Sequence, residues 1–163
     1  MIATDFIIRE IEPKDNLSIA KVIRDVFVEL DAPKIGTTFE DDALDDMYSV
    51  YQKPRSVFYV VEYHKQVVGG AGISELYNNE DNTCELQKMY FLPLARGLGL
   101  GTKMIHLCLE KAKEFGFNEC YLETMSFMKD AQNLYRKNGF AYINNPKGNT
   151  CHYSCEIWMT KKL

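Results

Sequence analysis

The spacing of apolar and polar positions divides this chain into alternating strands and helices. Between Asp5 and Ile11 the run FIIREI predicts a short strand, and Pro13, Lys14, Asp15 and Asn16 form a turn that opens a helix. Leu17, Ala20, Ile23, Val26, Phe27 and Leu30 recur at helical spacing and make one apolar stripe. It ends near Pro33, because proline has no amide to donate and restricts the residue before it. A second helix is predicted after Thr38, with Asp41 and Asp42 at its positive end and Leu44, Met47, Tyr48 and Tyr51 facing inward until Pro54 closes it. SVFYVVEY, residues 56–63, is rich in β-branched and aromatic residues and predicts a strand, followed by a hairpin turn at residues 64–66. VVGGAGISEL, residues 67–76, pairs back as the next strand, its glycines open to the close approach of another group. After the polar loop NNEDNT comes the strand CELQKMYFLP, residues 84–93, and HYSCEIWMTKKL, residues 152–163, alternates as a last strand. The expected fold class is α/β, with a mixed, mostly antiparallel central sheet flanked by helices.

Composition narrows the picture. A length of 163 residues, 46% of them hydrophobic, predicts a single domain over residues 1–163 with a sizeable core. No apolar run approaches the roughly 20 residues that cross a bilayer, and MIATDFIIRE carries charge where a signal peptide has an apolar centre. A soluble, cytoplasmic protein with no membrane partner is expected. A net charge of −4 argues against nucleic acid, whose binders display a basic stripe. Glu40, Asp41, Asp42, Asp45 and Asp46 crowd one stretch, which reads as a solvated helix start. The five cysteines, Cys84, Cys108, Cys120, Cys151 and Cys155, are odd in number and scattered, unlike a disulfide framework. Cys151, His152 and Cys155 form a short cluster with no second Cys/His pair at zinc-finger spacing, so no metal is expected.

The segment that carries chemistry is residues 89–116, where a strand ends at Pro93, a glycine-rich turn follows, and a long amphipathic helix begins. In Arg96-Gly97-Leu98-Gly99-Leu100-Gly101 the glycines allow a tight turn that gathers amide N–H groups around a phosphate, and the helix adds its positive end. A Rossmann site would open on the first strand of the fold, whereas this loop follows the fourth predicted strand. A nucleotide-triphosphate loop needs Gly-Lys-Ser/Thr, and here the order is Gly101-Thr102-Lys103.

These residues resemble the GNAT family of N-acetyltransferases, whose coenzyme signature is Arg/Gln-x-x-Gly-x-Gly/Ala directly after a sheet strand; Arg96, Gly99 and Gly101 match it. Downstream, AQNLYRKNGF, residues 131–140, is similar to the family's second motif, a short helix with Leu-Tyr followed by Gly-Phe. The resemblance covers roughly residues 84–142 and implies an acyl-CoA N-acyltransferase fold with acetyl-CoA as cosubstrate. It further implies that the backbone of Met89, Tyr90 and Phe91 holds the pantetheine arm where a bulge splays this strand from the next. The pyrophosphate would be held by the run Arg96, Gly97, Leu98, Gly99, Leu100, Gly101 and Thr102. Glu85 stands before Arg96 at the interval of the general base in histone-acetylating relatives, and Tyr135 is the second-motif tyrosine, which in relatives protonates the departing thiolate. Relatives often carry an asparagine where this chain has Met128; Asn133 is a substitute contact. Glu123 and Thr124 border the same gap as second-line candidates for binding substrate.

The acceptor expected is the primary amine of a small molecule or amino acid. A protein lysine or amino terminus is the alternative, and a non-catalytic acyl-CoA-binding module or a scaffold for a partner are the other classes. The last strand, if it lies at an edge, allows a homodimer.

Overall fold

The computed structural model describes residues 5–163; Met1 to Thr4, part of the stretch read as unlike a signal peptide, lie outside the described residues. The strands are β1 (Phe6–Glu10), β2 (Val57–Tyr63), β3 (Gln66–Glu75), β4 (Thr83–Phe91), β5 (Glu119–Thr124), β6 (Ala141–Ile143) and β7 (Ile157–Lys162). The helices are α1 (Asn16–Glu29), α2 (Met47–Val50), α3 (Leu100–Glu114) and α4 (Lys129–Lys137). The strands form one mixed sheet in the order β1-β2-β3-β4-β5-β7-β6. β1 to β4 are antiparallel neighbours, β4 and β5 run parallel, and β7 is antiparallel to both β5 and β6.

The sheet has a core on each face. β2 is apolar at successive positions because both of its faces are covered. Phe58 and Val60 pack with Ile19, Ile23 and Phe27 of α1 and with Leu44 and Met47, while Val57, Tyr59 and Val61 pack on the side of Met104, Ile105 and Cys108 of α3. The ring of Phe58 lies so close over Gly70 and Gly72 that a Cβ at either would meet it at 2.7 and 2.6 Å, which is why β3 carries small residues there. Among the described residues, no helix is long and apolar enough to cross a membrane.

Three expectations need correction. The α1 stripe is carried by Ile19, Ala20, Val22, Ile23, Val26 and Phe27, whereas Leu17, at the first turn, is 80% exposed. The helix expected after Thr38 breaks into two short 3-10 turns, Thr38–Glu40 and Asp42–Asp46, before the single turn of α2. The acidic residues there stand at the starts of these short turns and also take side-chain partners: Asp41 takes Lys88 and His152, Asp45 takes Arg24, and Asp46 accepts from Asn16. The last strand begins only at Ile157 and is interior, paired on both sides; among the described strands, β1 and β6 form the sheet edges.

Candidate active site

β4 and β5 pair only from Thr83–Glu119 to Glu85–Tyr121 and then part. The cause lies on the other side of β4. Its register with β3 slips, Gly70 facing Tyr90 but Gly72 facing Gln87, and Lys88 adopts the left-handed φ of 52°. An extra residue on one strand bends it and adds twist, so β4 turns away from β5 and leaves a fork in the sheet. Two cavities occupy the fork.

The larger, of about 540 Å³, is lined by Met89, Tyr90 and Phe91 on one side, by Arg96, Gly97, Gly99, Gly101 and Thr102 at one end, and by Phe127 to Ala131, Leu134 and Tyr135 on the other. Gly97 and Gly99 have φ of 72° and 76°, a conformation that strains any residue with a Cβ, and a Cβ on either would point into open space. Gly99, Gly101 and Thr102 line this end of the cavity, and the first amides of a helix have no partner within it, an arrangement that suits a phosphate. Gly101 serves a different need: a Cβ there would meet Leu134 of α4 at 2.8 Å. Leu98 and Leu100 turn their side chains into the core beneath the loop, so only their backbone can serve a ligand. The Arg96 guanidinium donates Nε–H to the Phe91 carbonyl at 2.9 Å and forms a two-pronged pair with Glu29 at 2.8 Å, which holds the Glu29 carboxyl below its ordinary range. Asn133, expected as a coenzyme contact, does not line this cavity. On α4 the cavity is lined by residues 129–131, 134 and 135, and Asn133 is exposed beside Arg136 and Lys137, bordering a separate surface hollow.

The smaller cavity, of about 50 Å³, lies deeper in the fork and is lined by Thr38, Glu85 to Tyr90, Glu123 to Met125, Met128, Tyr135, His152 and Cys155. Glu85 is 7% exposed. Burial pushes its carboxyl up, the hydrogen bond from Gln87 Nε2 at 2.7 Å pulls it back, and the charge of Glu123 raises it again, leaving it at about 6. Gln87 is in turn oriented by the Tyr51 hydroxyl, which donates to its Oε1 at 2.6 Å. Burial also raises Glu123, against a hydrogen bond from the Thr150 hydroxyl. Burial raises the Tyr135 phenol well above its ordinary value. Asp41 is pushed up by burial, but hydrogen bonds and charge from His152, at 2.9 Å, and Lys88 outweigh that and hold it low.

The segment between β6 and β7 closes this side. Ser154 donates its N–H to the Gly36 carbonyl at 3.1 Å and its hydroxyl to the Ile35 carbonyl at 2.8 Å, Asn149 N–H donates to the Tyr77 carbonyl at 2.9 Å, and His152 reaches Asp41. Gln87 and Lys88 were not among the residues expected at the site, and His152 was singled out only within a short Cys/His cluster. Gln87 had a signal, two positions beyond Glu85 and so on the same strand face; Lys88 and His152 had none, since the bulge and a contact across 111 residues leave no local pattern.

A sheet forked at β4 and β5, with a glycine turn and helix start at its open end, is the architecture of an acyl-coenzyme A acetyltransferase. A solved acetyltransferase from Streptococcus agalactiae superposes with a TM-score of 0.84 at 20% identity, covering 98% of this chain and 99% of that one. YncA from Salmonella typhimurium, solved with its cofactor acetyl-CoA, superposes with a TM-score of 0.75 at 21% identity, covering 97% of this chain and 94% of that one. Both establish a likeness of fold. In sequence, the acetyltransferase (GNAT) family model matches residues 24–140. The uncharacterized N-acetyltransferase YjgM of Escherichia coli (strain K12) is 46% identical over 159 residues, 96% of this chain and 95% of that one. The chain belongs to the GNAT acetyltransferase family. It is an acetyl-CoA-dependent N-acetyltransferase.

Proposed function

We propose that this enzyme acetylates the primary amine of a small molecule, with Glu85 as general base and Tyr135 as general acid. The observation that carries the reading is that Met89, Tyr90, Met128 and Tyr135 line both cavities. Coenzyme entering from the glycine turn and an acceptor held beside Glu85 therefore meet at those four residues. The amides of residues 100–102 and the Arg96 side chain take the pyrophosphate, and the backbone of Met89 to Phe91 takes the pantetheine arm.

Glu85 removes a proton from the incoming ammonium, directly or through one water, and a carboxyl near 6 is basic enough to do so yet ionised at neutral pH. The free amine attacks the thioester carbon, whose developing oxyanion is met by a β4 amide, that of Met89. As the C–N bond forms and the C–S bond breaks, the thiolate takes the Tyr135 proton, and the second proton that the nitrogen must lose returns to the Tyr135 phenolate through water, leaving neutral amide and thiol while Glu85 releases the first proton to solvent. Burial holds that proton on the phenol until a thiolate forms beside it, and the same burial makes the thiolate a stronger base. The presence of Tyr135 at the junction and Glu85 in the adjoining smaller cavity speaks against an idle coenzyme-binding module. His152 and Cys155 of the stitched segment line the smaller cavity, whose volume of about 50 Å³ supports a small acceptor over a protein lysine or amino terminus.

The test is a thiol-release assay over small primary amines and peptides with wild type, Glu85→Gln and Tyr135→Phe. The expected result is turnover of small amines, a fall in kcat of about 100-fold for Tyr135→Phe, and coenzyme affinity unchanged within about twofold by calorimetry. Full activity in Tyr135→Phe would remove the acid role, and turnover of peptides alone would remove the small-molecule acceptor.

A further inference from the structure

The described lining of the smaller cavity contains two basic side chains, Lys88 and His152, and two carboxylates, Glu85 and Glu123. Both basic groups are already engaged by one residue, Asp41, which receives Lys88 Nζ on one oxygen and the His152 ring nitrogen at 2.9 and 3.1 Å. We infer that the acceptor pocket selects amines carrying no carboxylate beside the nitrogen, because Asp41 has taken up the cations that would have read one. This rests on the small-molecule reading above and narrows it from amines in general to alkylamines, diamines, and amino-acid amides or esters.

The three elements that make the cluster are each specially placed. Lys88 occupies the left-handed bulge position of β4, and its side chain is 9% exposed. His152 arrives from the closing segment. Asp41 stands between the two 3-10 turns in an extended conformation, φ −60° and ψ 121°, which breaks what would otherwise be a helix and lets its carboxylate reach both partners. The ammonium of an acceptor entering this space meets Glu85 and Glu123, on neighbouring strands at the point where they part, and both attract it. A carboxylate on the adjacent carbon meets the same two groups as like charges. It gains Lys88 or His152 only by expelling Asp41, which then stands beside it as a third negative charge. Glu123 is, in this reading, a specificity-determining residue, and Asp41 a positioning residue acting through Lys88 and His152.

The experiment compares matched acceptors on the wild-type enzyme with saturating acetyl-CoA: alanine, alaninamide and ethylamine, then leucine, leucinamide and isoamylamine. The amide's amine is a weaker base than the amino acid's and the alkylamine's a stronger one, so a preference for both over the acid cannot come from basicity. Each is expected to exceed the amino acid in kcat/KM by at least about tenfold. An amino acid equal to or better than its partners overturns the inference while leaving the small-molecule reading intact; failure of all six where a peptide is turned over sinks both. Asp41→Asn, which frees Lys88 and His152, is expected to raise kcat/KM for the amino acid relative to its amide at least about threefold, and an unchanged ratio overturns the role of Asp41. Should that variant lose the closure of residues 144–156, seen as new sensitivity to limited proteolysis, the wild-type ratios decide.

Discussion

At the scale of single residues, Glu85 carries two opposed demands. Buried at the bottom of the fork, its carboxyl rises from 4.5 to about 6, so the folded state binds its proton more tightly than the unfolded chain does. Stability from this group is fully present below pH 4.5 and is lost as pH rises through 6, a difference of about 2 kcal/mol for a shift of that size. Glu85→Gln removes the cost while keeping an oxygen for Gln87. It is expected to unfold at a higher denaturant midpoint than wild type at pH 8, by an amount equivalent to about 1–2 kcal/mol, with the gain vanishing near pH 4. Its turnover should be reduced at every pH. Wild-type kcat/KM should fall about tenfold per pH unit below 6, and a profile flat down to pH 5 would place the base elsewhere. The position of Glu85 was legible from its distance to Arg96 within a recognisable motif. Its burial and its partner Gln87 were not, since both depend on how β3, β4 and the loop of Asp41 close around it.

At the scale of elements, the turn between β4 and α3 was the most legible part of the chain, because left-handed backbone leaves a mark in the sequence. Gly97 and Gly99 occupy that conformation, and it excludes most other residues. Gly99→Ala finds room for its methyl group but not an easy backbone. The variant is expected to lose about 1–2 kcal/mol of stability from strain alone, and if the turn relaxes, calorimetry should record coenzyme affinity weakened several-fold with acceptor KM little changed. The second predicted helix shows the opposite case. Its apolar spacing suited a helix, and Leu44, Met47 and Tyr51 do point inward, yet Asp41 is drawn to Lys88 and His152 and the backbone breaks around it. Asn133 was misplaced for a related reason: the second motif locates α4 in the chain, while the rotation of the helix is set by packing of Leu134 and Tyr135 against the core.

At the scale of the whole molecule, strand order could not be read from local pattern. The swap that sets β7 between β5 and β6 is a tertiary pairing, and it moves the last strand from the edge to the interior. The end of β4–β5 pairing beyond Glu85 makes the fork a structural weak point that a ligand can strengthen. Acetyl-CoA at 100 times its Kd should stabilise the folded state by about 2.7 kcal/mol, raising Tm by roughly 5–10 °C for a chain of this length. NAD, lacking a thioester arm, should leave it nearly unchanged. A Tm indifferent to saturating acetyl-CoA would remove the larger cavity as the coenzyme site.

The parting of β4 from β5 has one more consequence. Leu92 donates its N–H to Val68 of the neighbouring β3 side; alternation along a strand then turns the N–H of Phe91 the other way, into the fork. A peptide-like arm lying there, as proposed above, would serve as a surrogate strand, and the cosubstrate would then be a piece of the architecture, mending the sheet each time it binds and unmending it each time it leaves. Deuterium uptake at the Phe91 amide should therefore slow with coenzyme bound, while amides of β1 and β2, already laddered, keep their rates. Each catalytic cycle would then include a small reversible episode of folding.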